Sequence, residues 1–167
     1  MPEDVDAPSS QRMLEIYLND HLAAATGGVA LARRATRNNR DAAITPRLAA
    51  VAREIEQDRR SLLAIMRKLD VQVARYKVAM GWAGEKAGRL KLNGGLVNRT
   101  PLSDLIELEA LVLGVQGKAA GWRTLLTIAE REPRVNTDML RNLLTRAQQQ
   151  FDELESIRVQ IASEMTT

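Results

Sequence analysis

Four stretches of this sequence repeat apolar residues at three- and four-residue spacing, and the gap between the second and third is far longer than a turn needs. That uneven spacing constrains the fold more than any other feature. The first stretch runs from about Ser10 to Arg37, with Leu14, Leu18, His21, Leu22, Ala25, Val29 and Ala32 on one helical face. RNNRD breaks it. Thr45-Pro46 opens the second, with the threonine read as N-cap and the proline as first helical residue. It continues to about Leu69 through Leu48, Val51, Ile55, Leu62 and Ile65. Thr100-Pro101 repeats the signal ahead of PLSDLIELEALVLGVQGKAAGWRTLLTIAE, the most apolar stretch. Glu132-Pro133 ends that run, because the residue before a proline is pushed out of the helical region. Asn136 or Thr137 caps the fourth, which reaches about Met165 through Leu140, Leu144, Ala147, Phe151, Leu154 and Ile161. No stretch carries a strand pattern. Residues 1–9 read as a flexible tail and residues 10–167 as one helical domain.

Connection lengths then predict the topology. The first two helices are joined by a short break, as are the last two, so each pair is expected to be antiparallel. The connection from Asp70 to Thr100 is about 31 residues, against the usual ~2–8 between bundle helices. A helix of about 25 residues is ~37 Å long, a distance the connector can travel. It would return the chain to its starting end and leave the second and third helices parallel. A shorter helix is expected over Arg75 to Lys91, ending in LNGG, where Gly94 or Gly95 can take the left-handed cap. This is an all-α, up-down-down-up four-helix bundle of ferritin-like type, with a short helix in its one long crossover. A plain five-helix array is the alternative.

Composition agrees and excludes several chemistries. Aromatic residues are only 3% of the 167, so Ala and Leu supply most of the apolar mass, which favours helices. There is no cysteine, which removes disulfides, thiolate metal sites and cysteine nucleophiles. The leading MPEDVDAPSS is acidic, with no basic-then-apolar pattern, and no uncharged apolar run approaches the ~20 residues that span a bilayer. The expectation is a cytoplasmic protein without a membrane partner. The net charge of +3 is uneven: Arg67, Lys68, Arg75, Lys77, Lys86, Arg89, Lys91 and Arg99 face only Asp70 and Glu85. Arg75, Lys77, Lys86, Arg89 and Lys91 form a candidate surface for an anionic partner, beside the plainer reading of a solvated helix face. Nucleic acid ranks low as that partner, since no aromatics interleave with the charges to stack bases and no reader motif is present.

Ferritin-like oxidases hold two metal ions with one Glu from each of two helices and Glu-x-x-His from each of the others. This chain has a single histidine, and Leu18 stands three residues before it. Gln57 occupies the histidine position after Glu54, and Asp152-Glu153-Leu154-Glu155 supplies carboxylates without an imidazole. A standard dimetal centre is therefore not expected, nor any other cofactor. Glu15, His21, Asp58 and Glu109 remain as candidates for an atypical metal site. The preferred reading is a polar core layer of His21, Asp58, Glu109 and Arg158, with the guanidinium in place of a metal charge, because lone buried charges are costly. The plainer reading turns each of the four to the bundle rim.

Two glycine triplets share the spacing i, i+3, i+7: Gly81, Gly84 and Gly88 in the connector, and Gly114, Gly117 and Gly121 in the third helix. Glycine inside a helix costs up to ~1 kcal/mol against alanine, so a compensating reason is expected. The reading is close backbone approach, the crossover helix lying on the third helix with Trp82 and Trp122 flanking the crossing. A phosphate loop is excluded because Ala119, not Ser or Thr, follows Gly117-Lys118 within a helical pattern.

The runs YLNDHLAAATGGVALARR, RYKVAMGWAGEKAGRLKLNG and PLSDLIELEALVLGVQGKAAGW, spanning roughly residues 12–130, resemble an actinobacterial family of uncharacterised proteins with a ferritin-like bundle. The resemblance implies a bacterial origin and that fold, with no activity attached. The scaffold pattern is complete while the ligand set is missing. The leading expectation is therefore a non-catalytic bundle that binds a protein partner or assembles with itself as a homo-oligomer. The alternative is a metal-binding or oxidoreductase protein using the atypical carboxylate and histidine set.

Overall fold

The computed structural model of the chain describes residues 9–74 and 101–165. Among them are four α-helices and no strand: α1 (Ser10–Asn38), α2 (Ile44–Lys68), α3 (Pro101–Ala129) and α4 (Thr137–Glu164). The expected crossover helix, with Gly81, Trp82, Gly84 and Gly88 and the basic residues Arg75, Lys77, Lys86, Arg89 and Lys91, lies outside the described residues, as does most of the tail. No helix among the described residues is long and apolar enough to cross a membrane.

Capping side chains set most helix starts. Ser9 Oγ accepts from the Arg12 amide at 3.3 Å, and Asn136 Oδ1 accepts from the Met139 amide at 2.7 Å, each satisfying an amide that a first turn leaves unpaired. The start of α2 differs from the sequence expectation. The helix begins at Ile44, so Thr45 is not its cap and Pro46 stands third rather than first. Asp41 does the capping, its Oδ1 accepting from the amides of Ala43 at 2.7 Å and Ile44 at 3.1 Å. Proline is tolerated there because the first amides of a helix have no intrahelical acceptor.

Around the bundle, α1 packs on α2 and α3, and α4 packs on those same two. Leu18, Leu22, Leu48, Ile65, Leu108, Leu125, Leu140, Leu154 and Ile157 are buried at the centre, each worth about 1.5–3 kcal/mol on transfer from water. The cross-links give the register. Between α1 and α2, Thr26 meets Arg59 and Arg33 meets Glu56. Between α1 and α3, His21 lies over Gly121 and Arg34 meets Glu107. Between α2 and α4, Arg47 meets Glu153, Glu54 meets Gln150 and Asp58 meets Arg146. In all three seams the numbers rise on one helix as they fall on the other.

Beyond α2 the chain turns at Asp70, whose φ of 56° is left-handed, and then runs beside α1. Gln11 Nε2 donates to the Leu69 carbonyl, and buried Asn19 clamps the next residues. Its Nδ2 donates to the Gln72 carbonyl at 2.9 Å and its Oδ1 accepts from the Ala74 amide at 2.7 Å. The sequence reading passed over Asn19, because a lone asparagine on a helix face looks like a solvated residue.

The third helix is apolar almost all round, a pattern that normally marks a helix buried on most sides. In the structure, however, Leu102, Ala110, Leu113, Gly114, Gly117 and Ala120 are exposed, with Leu113 at 73%.

Candidate functional site

Small residues on two helices leave a cleft between α1 and α3. Ala24, Ala25 and Gly28 face Ala110, Gly114 and Gly117 across it, while Ile55, Asp58, Arg59 and Leu62 of α2 form its back. Its volume is about 520 Å³. Among the described residues, a Cβ placed on Gly28, Gly114 or Gly117 would have nothing within 4 Å. Gly121 is different. A Cβ there would stand 2.6 Å from His21 Cδ2 and 2.9 Å from its Nε2. The close approach expected of this triplet was to the crossover helix, which lies outside the described residues; at Gly121 the described neighbour is instead the His21 ring of α1.

His21 is half-buried beside this cleft. Its Nδ1 lies 3.1 Å from the Tyr17 carbonyl oxygen, which can only accept, so Nδ1 carries the proton. The ring also stacks at a tilt on Tyr17, centroids 4.3 Å apart. These contacts fix the imidazole within its own helix and do not link it to the acids named with it.

Asp58 occupies the mid-bundle interior at 1% exposure. Its partners are Lys118 of α3 with Arg146 and Gln150 of α4. Arg146 reaches Oδ1 with two nitrogens, its Nε at 2.8 Å. Oδ2 accepts from the Lys118 ammonium and, at 3.1 Å, from Gln150 Nε2. Gln150 Oε1 accepts from the same ammonium, and its amide also donates to Glu54 at 3.1 Å. Glu54 and Asp58 therefore balance Lys118 and Arg146 in one hydrogen-bonded cluster across three helices. Burial pulls the Lys118 pKa below the ordinary lysine value, and the Asp58 charge offsets only part of that.

The polar layer expected from the sequence is thus corrected in membership. Asp58 is in it, while Glu109 is exposed on α3. Arg158 pairs with Glu155 one turn back on its own helix, with bonds of 2.6 and 2.8 Å, and its pKa is raised mainly by that carboxylate. Glu15 bonds Arg12 at 3.3 Å near the start of α1. Among the described residues no three His, Asp or Glu side chains stand where they could hold a metal ion. In the sequence Lys118 follows a glycine in a small-residue run, which carries no signal of a core cation, and Gln150 stands beside Phe151, whose apolar ring is the stronger core signal.

Compared with known proteins, the chain matches no family, no curated protein and no solved structure, so the site is read from its own geometry.

Proposed function

We propose that this chain is a non-catalytic bundle of ferritin-like topology that works by binding a protein partner or a second copy of itself. The register supports the chain path. Helix α1 runs against both α2 and α3 while α4 runs against α2, a register that supports parallel α2 and α3 and the order up-down-down-up. Three further contacts fit one long crossover: Gln11 with Leu69, Asn19 with Ala74, and Arg134 with Asp70 at 2.8 Å, which puts the α3–α4 turn beside the end of α2.

The observation that carries the non-catalytic reading is the Lys118 ammonium on Asp58. A metal centre at mid-bundle needs carboxylates with oxygens to spare. Here both Asp58 oxygens are taken, and an ammonium and a guanidinium supply the positive charge. A divalent cation would have to displace both. The binding half of the proposal rests on α3, whose exposed Leu102 and Leu113, eleven residues apart in sequence, fall on one helical face. The test is metal analysis of untagged protein after incubation with iron(II) and manganese(II). The expected result is less than stoichiometric metal. Stoichiometric metal that disappears in His21→Ala overturns the reading in favour of an atypical oxidoreductase site.

A further inference from the structure

Positive charge is concentrated on the outer face of α1 and α2. Residues 33–68 hold ten basic and four acidic side chains, a net +6 against +3 for the whole chain. Arg33 and Arg37 stand one turn apart near the end of α1, Arg53 and Arg60 two turns apart on α2, and all four are exposed. Glu56 joins the two rows into one face, accepting from Arg33 at 2.6 Å and from Arg60 at 2.7 Å. Arg40, also exposed, lies in the turn between the helices. The other three acids of the stretch are engaged elsewhere: Asp41 caps α2, Glu54 accepts from Gln150, and Asp58 is buried under Lys118 and Arg146.

The remaining sequence cannot neutralise this face. Residues 75–100 carry six basic side chains and the single acid Glu85, so that segment would add positive charge to any surface it met. The acids Glu3, Asp4 and Asp6 precede Ser9, and Arg37 lies 28 residues or ~42 Å further along α1. Six fully extended residues, from Ser9 back to Glu3, span at most ~22 Å. The complement of this face is therefore an anion from outside the chain.

Its chemistry can be narrowed. Residues 33–68 contain no Phe, Tyr or Trp, and none of the large apolar side chains exposed among the described residues falls in them. A protein partner normally seats aromatic or apolar anchors, and a membrane-bound helix pushes apolar side chains into the acyl boundary. Single-stranded nucleic acid is held by bases stacked on aromatic rings. Contact with duplex phosphates needs none of these, because it is electrostatic and driven by release of counterions. Both rows are built from arginine, whose planar fork matches two phosphate oxygens.

We propose that the outer face of α1 and α2 binds the phosphate backbone of double-stranded nucleic acid through Arg33, Arg37, Arg40, Arg53 and Arg60, without reading its sequence. Aromatic interleaving and reader motifs, both missing from this chain, serve single strands and base recognition, and this contact uses neither. The site goes beyond the protein-binding reading, since it lies on α1 and α2 and not on the exposed side of α3.

Fluorescence anisotropy of a short labelled DNA duplex of arbitrary sequence, titrated with the full chain over a series of salt concentrations, tests it. With about four to five phosphates neutralised, the logarithm of the affinity should fall against that of the salt concentration with a slope of about −4. Arg37→Gln/Arg53→Gln/Arg60→Gln, all at exposed positions, should keep the circular dichroism and thermal midpoint while bringing the slope to about −1. Arg53→Gln alone, which should lower the slope by about 1, serves if the triple variant does not fold. Lys86→Gln/Arg89→Gln/Lys91→Gln, which removes as many charges from the connector, should leave most of the slope. A single strand of the same length and vesicles of anionic phospholipid should bind more weakly than the duplex. No binding at low salt, which would mark a face that only water covers, overturns the proposal. So do a flat salt response, arginine variants that bind like the wild type, and tighter binding of the single strand or the vesicles.

Discussion

Alanine at Gly121 should destabilise the bundle, whereas alanine at Gly114 or Gly117 should stabilise it. Replacing glycine with alanine inside a helix gains about 0.8–1.0 kcal/mol where the new methyl has room. At Gly114 and Gly117 it does, since nothing among the described residues lies within 4 Å of the Cβ position. At Gly121 the methyl would lie 2.6 Å from His21 Cδ2, closer than carbon atoms approach, so the imidazole must leave. Leaving breaks the Nδ1–H bond to the Tyr17 carbonyl, worth about 1 kcal/mol, and the tilted stack on Tyr17, worth about 0.5–1.5 kcal/mol. The balance for Gly121→Ala is a loss of about 1 kcal/mol. In a His21→Ala background the obstacle is gone, and the same substitution should gain about 1 kcal/mol, a coupling of about 2 kcal/mol between the two sites. Urea denaturation of the four proteins of this cycle measures it. Additive effects, or stabilisation by Gly121→Ala matching Gly114→Ala, would show that His21 does not rest on this glycine.

Three further outcomes follow from the charged groups and from the exposed face of α3. Asp58→Leu alone strands Lys118 and Arg146 and should cost about 3–5 kcal/mol in urea denaturation, whereas adding Lys118→Met and Arg146→Met should recover most of it; a triple variant weaker than the single would refute the cluster. Glu132 has its pKa held down to about 2 by the Arg134 side chain and amide. A depressed carboxylate pKa stabilises the fold above the unfolded value near ~4.3 and loses that contribution as pH falls toward about 2, so Glu132→Gln should flatten the acid limb of stability against pH in that window. Leu113→Lys, at a position 73% exposed, should change folding stability by less than about 0.5 kcal/mol yet remove self-association in light scattering; an unchanged mass would move the interface off this face.

The helices were legible because their signals are local. Periodic apolar residues placed the cores of α1, α2 and α4, and Asn136 and Pro101 marked true starts. The start of α2 was misread because a threonine before a proline is a cap signal only when no stronger acceptor precedes it. Asp41, three residues upstream of Ile44, takes two amides with one oxygen and moves the boundary. The antiparallel pairings within α1–α2 and α3–α4 were expected from their short breaks, because a few residues cannot carry the chain back along a helix.

Side-chain partnership across the bundle is another matter, because it depends on rotation about each helix axis and on register between helices. One residue of rotation, ~100°, separates Gln150, in the core, from Phe151, which was assigned there. Register accounts for the other exchange: Arg146, which meets Asp58, stands twelve residues or ~18 Å along α4 from Arg158. Glu109 was expected in the layer, yet it is exposed, while Lys118, more than two turns further along α3, reaches Asp58. The physics behind the expectation held even where the names did not. A buried carboxylate on α2 required cationic partners, and the chain supplies them from the two helices whose side chains converge on it. Charge balance can be reasoned from sequence alone, but which lysine or arginine satisfies it is decided by rotations that a one-dimensional pattern leaves free.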